Sequence, residues 1–140
     1  MDGSEEGEAA LPYVKELALR MNSRVILFQA IPEDLSEEEV SWIELRKLAD
    51  ENAKARLYAA GQWLKSAGVD VKYDVRFGNP AALIIDAASR TMSDIVAMST
   101  HGRSGIDRWV FGSVAEKVLR GGTTPVLLIR SHDIDNDNIS

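Results

Sequence analysis

The chain has 140 residues, 45% hydrophobic, 27% charged and 6% aromatic, which is the balance of one globular domain with a single core and leaves no room for a second. Its 16 basic and 22 acidic residues give a net charge of −6, which argues against a general nucleic-acid binder, and the absence of cysteine excludes disulfides, thiolate metal sites and a cysteine nucleophile. No apolar run approaches the roughly 18 residues of a spanning helix, and the opening Met-Asp-Gly-Ser-Glu-Glu is the opposite of a basic, apolar signal peptide, so a cytoplasmic protein with no membrane partner is expected.

A helical pattern opens the chain from about Ser4 to Asn22, with Asp2 or Ser4 able to accept orphan N–H groups. Pro12 offers an alternative start near Leu11. Arg24 to Ile31 (RVILFQAI) is a nearly continuous apolar run, suited to a strand covered on both faces, and Pro32 ends it. A Ser36-Glu-Glu-Glu39 capping box leads into a long helix. Its apolar stripe, Trp42, Leu45, Ala49, Ala53, Leu57, Ala60, Leu64 and Ala67, runs down to a stop at Gly68.

Val69 to Phe77 (VDVKYDVRF) alternates apolar and charged residues, the period of a strand with one wet face near a sheet edge. Gly78-Asn79-Pro80 launches a third helix with Ile84, Ile85 and Ala88 turned inward. Asp94 to Ser99 is a short strand, Gly112 to Leu119 a helix stopped at Gly121-Gly122, and Pro125 to Ile129 the last strand. The domain is expected to occupy residues 1–130, with residues 131–140, which carry Asp133, Asp135 and Asp137, as a disordered acidic tail. Alternating helices and strands with short connections predict an α/β fold, a single open parallel sheet with helices on both faces and right-handed crossovers.

The segment that carries chemistry is Met98 to Ser113. It leaves the carboxyl edge of a strand, where open α/β sheets bind ligands, and ends by opening a helix. The first N–H groups of that helix, at Gly112, Ser113 and Val114, lack intrahelical acceptors and sit at the positive end of the dipole, so an anion is stabilised there. Gly102 and Gly112 let the main chain approach a phosphate, Ser113 adds a hydroxyl, and Arg103 and Arg108 supply positive charge in an acidic protein. No Walker lysine follows.

The stretch from Met98 to Arg130, with Gly102, nine residues, Gly112-Ser113, then Ser-Val-Ala-Glu-Lys-Val and a closing Pro-Val-Leu-Leu-Ile-Arg, resembles the universal stress protein family. The opening Asp-Gly-Ser-Glu with its downstream Ala-Leu-Pro-Tyr, and the Phe77-Gly78-Asn79-Pro80 turn, are similar to the same family. The resemblance implies a Rossmann-like sheet in strand order 3-2-1-4-5 and a cleft for ATP, with Mg2+ as a companion ion. It implies that Gly102, Gly112, Ser113 and Val114 hold the phosphates, with Met98, His101 and Arg103 in the same loop region. Ser99 then lies near the ribose, Ala30 near the adenine and Asp2 at the edge of the adenosine pocket. The family habit also implies a homodimer through the Pro125–Arg130 strand, whose apolar edge invites pairing with a copy of itself.

Two departures stand out. Ser99 replaces the first glycine of the family's nucleotide motif, and the chain opens at Met1-Asp2-Gly3-Ser4 where members have a first, central strand. Without that strand the second and fourth family strands would stand about 10 Å apart with unpaired backbone groups. Each such buried group costs about 1 to 3 kcal/mol. Two functional readings follow: an ATP-binding stress-response regulatory module with slow or no hydrolysis, and a dimeric structural or interaction protein that binds no nucleotide, which the two departures favour. An adenine-nucleotide enzyme of the ATP pyrophosphatase type would need a Ser-Gly-Gly-x-Asp-Ser loop that the amino end lacks.

The remaining polar and aromatic residues have plainer roles. His101 has no Ser–His–Asp spacing around it and fits a loop histidine at nucleotide or solvent. Asp107 and Glu116 read as solvated charges, and the Asp133, Asp135, Asp137 run lacks the glycine and distal glutamate of a calcium loop. Trp42 and Trp63 are expected in core or interface packing.

Overall fold

A computed structural model describes residues 10–33, 41–101 and 112–131. In chain order these form α1 (Leu11–Met21), β1 (Arg24–Ile31), α2 (Ser41–Ser66), β2 (Asp70–Phe77), α3 (Pro80–Arg90), β3 (Val96–His101), α4 (Ser113–Gly121) and β4 (Val126–Ser131). Helix and strand alternate as the sequence predicts. Every strand pairing is parallel, each pair being joined through a helical crossover.

Boundaries shift where the local chemistry differs from the pattern. α1 starts at Leu11 with Pro12 in its first turn and Ala10 as an N-cap that makes no side-chain bond; Asp2 and Ser4 lie outside the described residues. α2 keeps its expected stop: Gly68 has φ +95, a left-handed conformation that costs glycine no Cβ clash, and the N–H of Val69 bonds the Leu64 carbonyl at 3.1 Å. β3 begins two residues later than its apolar run suggests and extends to His101.

The core is gathered on the β1–β2 half. Ala18 of α1, Leu27 of β1, Leu57, Ala60 and Leu64 of α2, and Val69 and Val71 at the start of β2 form one buried cluster. The α2 stripe is buried from Ala53 through Leu64, whereas Leu45 nearer its start is 43% exposed. Trp63, expected in the core, lies on the exposed side of α2 with Lys15 Nζ 5.0 Å above its ring. It falls one position before Leu64, so the helical period that buries the leucine turns the tryptophan outward.

The expected single sheet is replaced, among the described residues, by two two-stranded sheets. β1 pairs with β2 from Arg24↔Asp70 to Ile31↔Phe77, and β3 pairs with β4 from Val96↔Val126 to His101↔Ser131. The physical reason is that no described strand bonds both β1 and β3, so the ladder does not cross from one pair to the other. α3 links the halves, packing against β1 on one side and α4 on the other.

Candidate functional site

The site expected from sequence lies where β3 ends and α4 begins. β3 carries the chain to His101, and α4 opens at Ser113 behind Gly112. Gly112 has φ +89 and ψ 150, and among the described residues a Cβ placed on it would meet nothing within 4 Å. That conformation favours glycine, and no described residue covers the backbone there.

α4 starts without a side-chain cap. Its first intrahelical bond runs from the Glu116 N–H to the Gly112 carbonyl at 3.0 Å. Among the described residues no group accepts from the N–H groups of Ser113, Val114 or Ala115. These donors stand at the positive end of a helix held down by buried Ala115 and Val118, so their direction is fixed by packing. An anion placed there receives several N–H donors and a favourable dipole together.

The other predicted residues divide into two groups. Met98 and Ser99 are half-buried in β3, in register with Leu128 and Ile129 of β4, and His101 is the last residue of that strand. Ala30 is half-buried next to the end of β1, in register with Arg76, and so belongs to the other sheet. Gly112 and Ser113 are exposed and Val114 is half-buried. Asp2, Gly102 and Arg103 lie outside the described residues, as do Asp107, Arg108 and Trp109. The carboxyl ends of β1 and β3 and the mouth of α4 are thus the described parts of the expected site.

One feature lay beyond the reach of the sequence. A shallow cleft of about 710 Å³ opens between the start of α2 and the end of β2, lined among others by Ile43, Arg46, Asp50, Arg76 and Phe77. The Arg46 guanidinium lies 4.3 Å from the centre of the Phe77 ring, a cation–π contact. Its charges are largely matched, with Arg76 on Asp74 at 3.1 Å, Lys54 on Asp50 at 3.0 Å and Arg46 near Glu33 at 3.8 Å. It contains none of the predicted site residues. Only the 31-residue separation of two unremarkable positions encodes the Arg46–Phe77 contact, and no local motif marks it. Elsewhere, Asp86 accepts a 2.7 Å bond from Arg90 on α3 and holds that guanidinium above its ordinary pKa, well away from the α4 mouth.

The universal stress protein family model matches residues 1–130. The chain belongs to that family. A universal stress protein of Methanocaldococcus jannaschii, MJ0531, is 27% identical over 134 residues, covering 92% of this chain and 78% of that protein. The solved structure of MJ0577, from the same organism, superposes with a TM-score of 0.80 at 30% identity, covering 93% of this chain and 91% of that one. Two further solved members share the fold: a universal stress protein in complex with cAMP (TM-score 0.70, 23% identity, 93% and 91% covered), and an Archaeoglobus fulgidus member in complex with dAMP (0.66, 21%, 90% and 89%). The family membership and the α/β, Rossmann-like fold inferred from the sequence both hold. Among the described residues, no helix is long and apolar enough to cross a membrane.

Proposed function

We propose that this universal stress protein is an adenine-nucleotide-binding regulatory module, with ATP as its ligand and the mouth of α4 as the phosphate seat. The observation that carries the proposal is the uncapped start of α4 behind an open, positive-φ Gly112. The cAMP- and dAMP-bound family members support an adenine nucleotide as the class of ligand.

The residues present fit such a group. Gly112, Ser113 and Val114 would hold phosphate oxygens through backbone N–H groups and the serine hydroxyl, with Gly102 and Arg103 of the preceding loop completing the seat. Ala30, Met98, Ser99, His101 and Asp2 would face the nucleoside. Among the described residues no group of three or more His, Cys, Asp or Glu could hold a metal ion; Mg2+ would come to the site on the phosphates themselves. The domain spans residues 1–130, the protein works in the cytoplasm, and it pairs with a second copy through the outer edge of β4, which bonds β3 on its inner side.

Calorimetric titration of the whole chain with ATP and magnesium tests the proposal. Micromolar binding is expected, and no heat at millimolar ATP refutes it. Ser99, half-buried in β3 where the family motif has glycine, favours the rival reading of a dimeric interaction protein without nucleotide. A concentration-independent dimer with no heat of binding would establish that rival.

A further inference from the structure

We infer that the outer edge of β2 is a self-recognition surface: it takes β2 of a second copy, antiparallel, about a two-fold axis at Tyr73, in a register set by charge. β2 bonds β1 on one side, and among the described residues no strand lies along its other side. The Gly78 N–H reaches the Ile31 carbonyl at 2.9 Å, so the alternate positions Arg76, Asp74 and Lys72 also turn their main-chain groups toward β1. Val71, Tyr73 and Val75 turn theirs outward.

Side chains alternate as well. Val71 sits in the buried cluster with Leu57 and Leu64 of α2, and a Cβ on Gly61 of α2 would meet the Tyr73 ring, so the odd positions of β2 face that helix. The even positions, Asp70, Lys72, Asp74 and Arg76, form a charged row on the opposite face. Charge on an edge strand guards it against chance pairing. Here the order of the charges also names a partner, because the signs invert about Tyr73: Lys72 against Asp74, and Asp70 against Arg76. With Tyr73 opposite Tyr73 of the second copy, every acid on the row stands opposite a base, and each such pair occurs twice by symmetry. Sliding by two residues one way sets Lys72 opposite Lys72 and Asp70 opposite Asp74. Sliding the other way sets Asp74 opposite Asp74 and Lys72 opposite Arg76. A slip of one residue sets outward-turned main-chain groups opposite inward-turned ones.

The main-chain pattern admits the same register. It brings the outward groups of Val71 against those of Val75 in the second copy, and those of Tyr73 against its own counterpart, so all of them exchange bonds across the axis. The charged positions then fall between the bonded pairs, where side chains of neighbouring strands approach most closely. On the other face, Tyr58 of α2 is 60% exposed and Tyr73 36% exposed, with ring centres 6.2 Å apart. Pairing brings the two Tyr73 residues side by side and covers aromatic surface that the single chain leaves to solvent. Within one chain Asp70 is held by Arg24 at 3.0 Å and Asp74 by Arg76 at 3.1 Å, whereas Lys72 makes no ion pair among the described residues. Asp74 of the second copy supplies one. This surface is separate from the edge of β4 and does not rest on nucleotide binding.

Charge reversal in the full chain, read by sedimentation velocity, tests the surface. Lys72→Asp sets acid opposite acid at two symmetry-related places, and Asp74→Lys sets base opposite base. Each is expected to weaken pairing about ten-fold or more, so that it sediments at no more than about half the wild-type mass where wild type is paired. Mixed one to one, the two variants complement each other along the whole row, and the wild-type mass is expected to return. A chain carrying both reversals restores every pair within its own dimer and is expected to keep the wild-type mass, which serves where a single variant fails to fold; urea midpoints report folding in each case. Pairing through β4 is common to all these proteins and leaves the order of their masses unchanged. Three results overturn the inference: a wild type no heavier than the single variants up to millimolar chain, single variants that mix without regaining mass, or a double variant that sediments as the single variants do.

Discussion

Replacing Gly112 separates the two properties that make it fit for a phosphate seat, its positive φ and its bare backbone. Alanine and aspartate both take on a positive-φ, extended conformation at φ +89 and ψ 150 that glycine alone adopts freely, at about 1 to 3 kcal/mol of folding stability. Neither meets a described atom, since among the described residues nothing lies within 4 Å of the added Cβ. Aspartate then recovers part of the loss, because a carboxylate at an N-cap is worth about 1 kcal/mol to the helix. The stability order is therefore wild type, Gly112→Asp, Gly112→Ala. Binding follows another order. Alanine adds no charge, and its strain falls on folding rather than on the ligand, so ATP affinity stays within a few-fold. The aspartate carboxylate stands about 4 Å from bound phosphate oxygens, a repulsion between about 1 kcal/mol in a water-like medium and about 4 kcal/mol at an effective dielectric constant of 20. That is about a five-fold to a thousand-fold loss of affinity. Urea denaturation and ATP–magnesium calorimetry on the three proteins read both orders. If Gly112→Asp binds ATP as tightly as Gly112→Ala, the phosphates do not sit at α4.

Substitutions at three further positions probe the frame that holds this site. Leu64 is fully buried among Ala18, Leu57, Val69 and Val71, so Leu64→Ala is expected to cost about 2 to 5 kcal/mol, seen as a lower urea midpoint at unchanged slope. The Asn79 side chain accepts the Ala82 N–H at 3.0 Å and caps α3, so Asn79→Ala is expected to lose about 1 kcal/mol while Asn79→Asp keeps most of it. A Cβ on Gly61 would run into the Tyr73 ring, so Gly61→Ala is expected to swing that ring outward and change the tyrosine near-ultraviolet dichroism, with a packing cost of about 1 to 3 kcal/mol partly offset by about 1 kcal/mol of helix propensity; an unchanged spectrum contradicts the packing described.

The legibility of this chain depended on how local each determinant is. β1 was readable to the residue because a run of eight residues, six of them apolar, lies between Asn22, left-handed at φ 52, and Pro32. The start of α3 was readable because Asn79-Pro80 supplies both a cap and a preset φ. The stop of α2 was equally local, at Gly68. The failures are non-local. Trp63 is a large apolar residue whose place on α2 is decided by which face Leu57 and Leu64 take, and composition pulls the other way. Pairing between sheets is decided by which strand reaches which, so the split into β1–β2 and β3–β4 could be posed from the sequence as an unfilled slot but not resolved. At the site, the glycine and the helix start are written locally and both appear in the structure, whereas the joint placement of Ala30 and Gly112 depends on the whole fold.

That joint placement gives the nucleotide proposal its own test. Ala30 rides on the β1–β2 sheet, while Met98, Ser99 and the mouth of α4 ride on the β3–β4 side. A nucleotide seated as proposed would touch both, so a longer side chain at position 30 is expected to crowd it. Ala30→Leu is expected to lose about ten-fold in ATP affinity, read by calorimetry on a variant whose urea midpoint stays near wild type. Unchanged affinity would show that the nucleotide rests on the β3–β4 side alone, and Ala30 would then have no part in holding it.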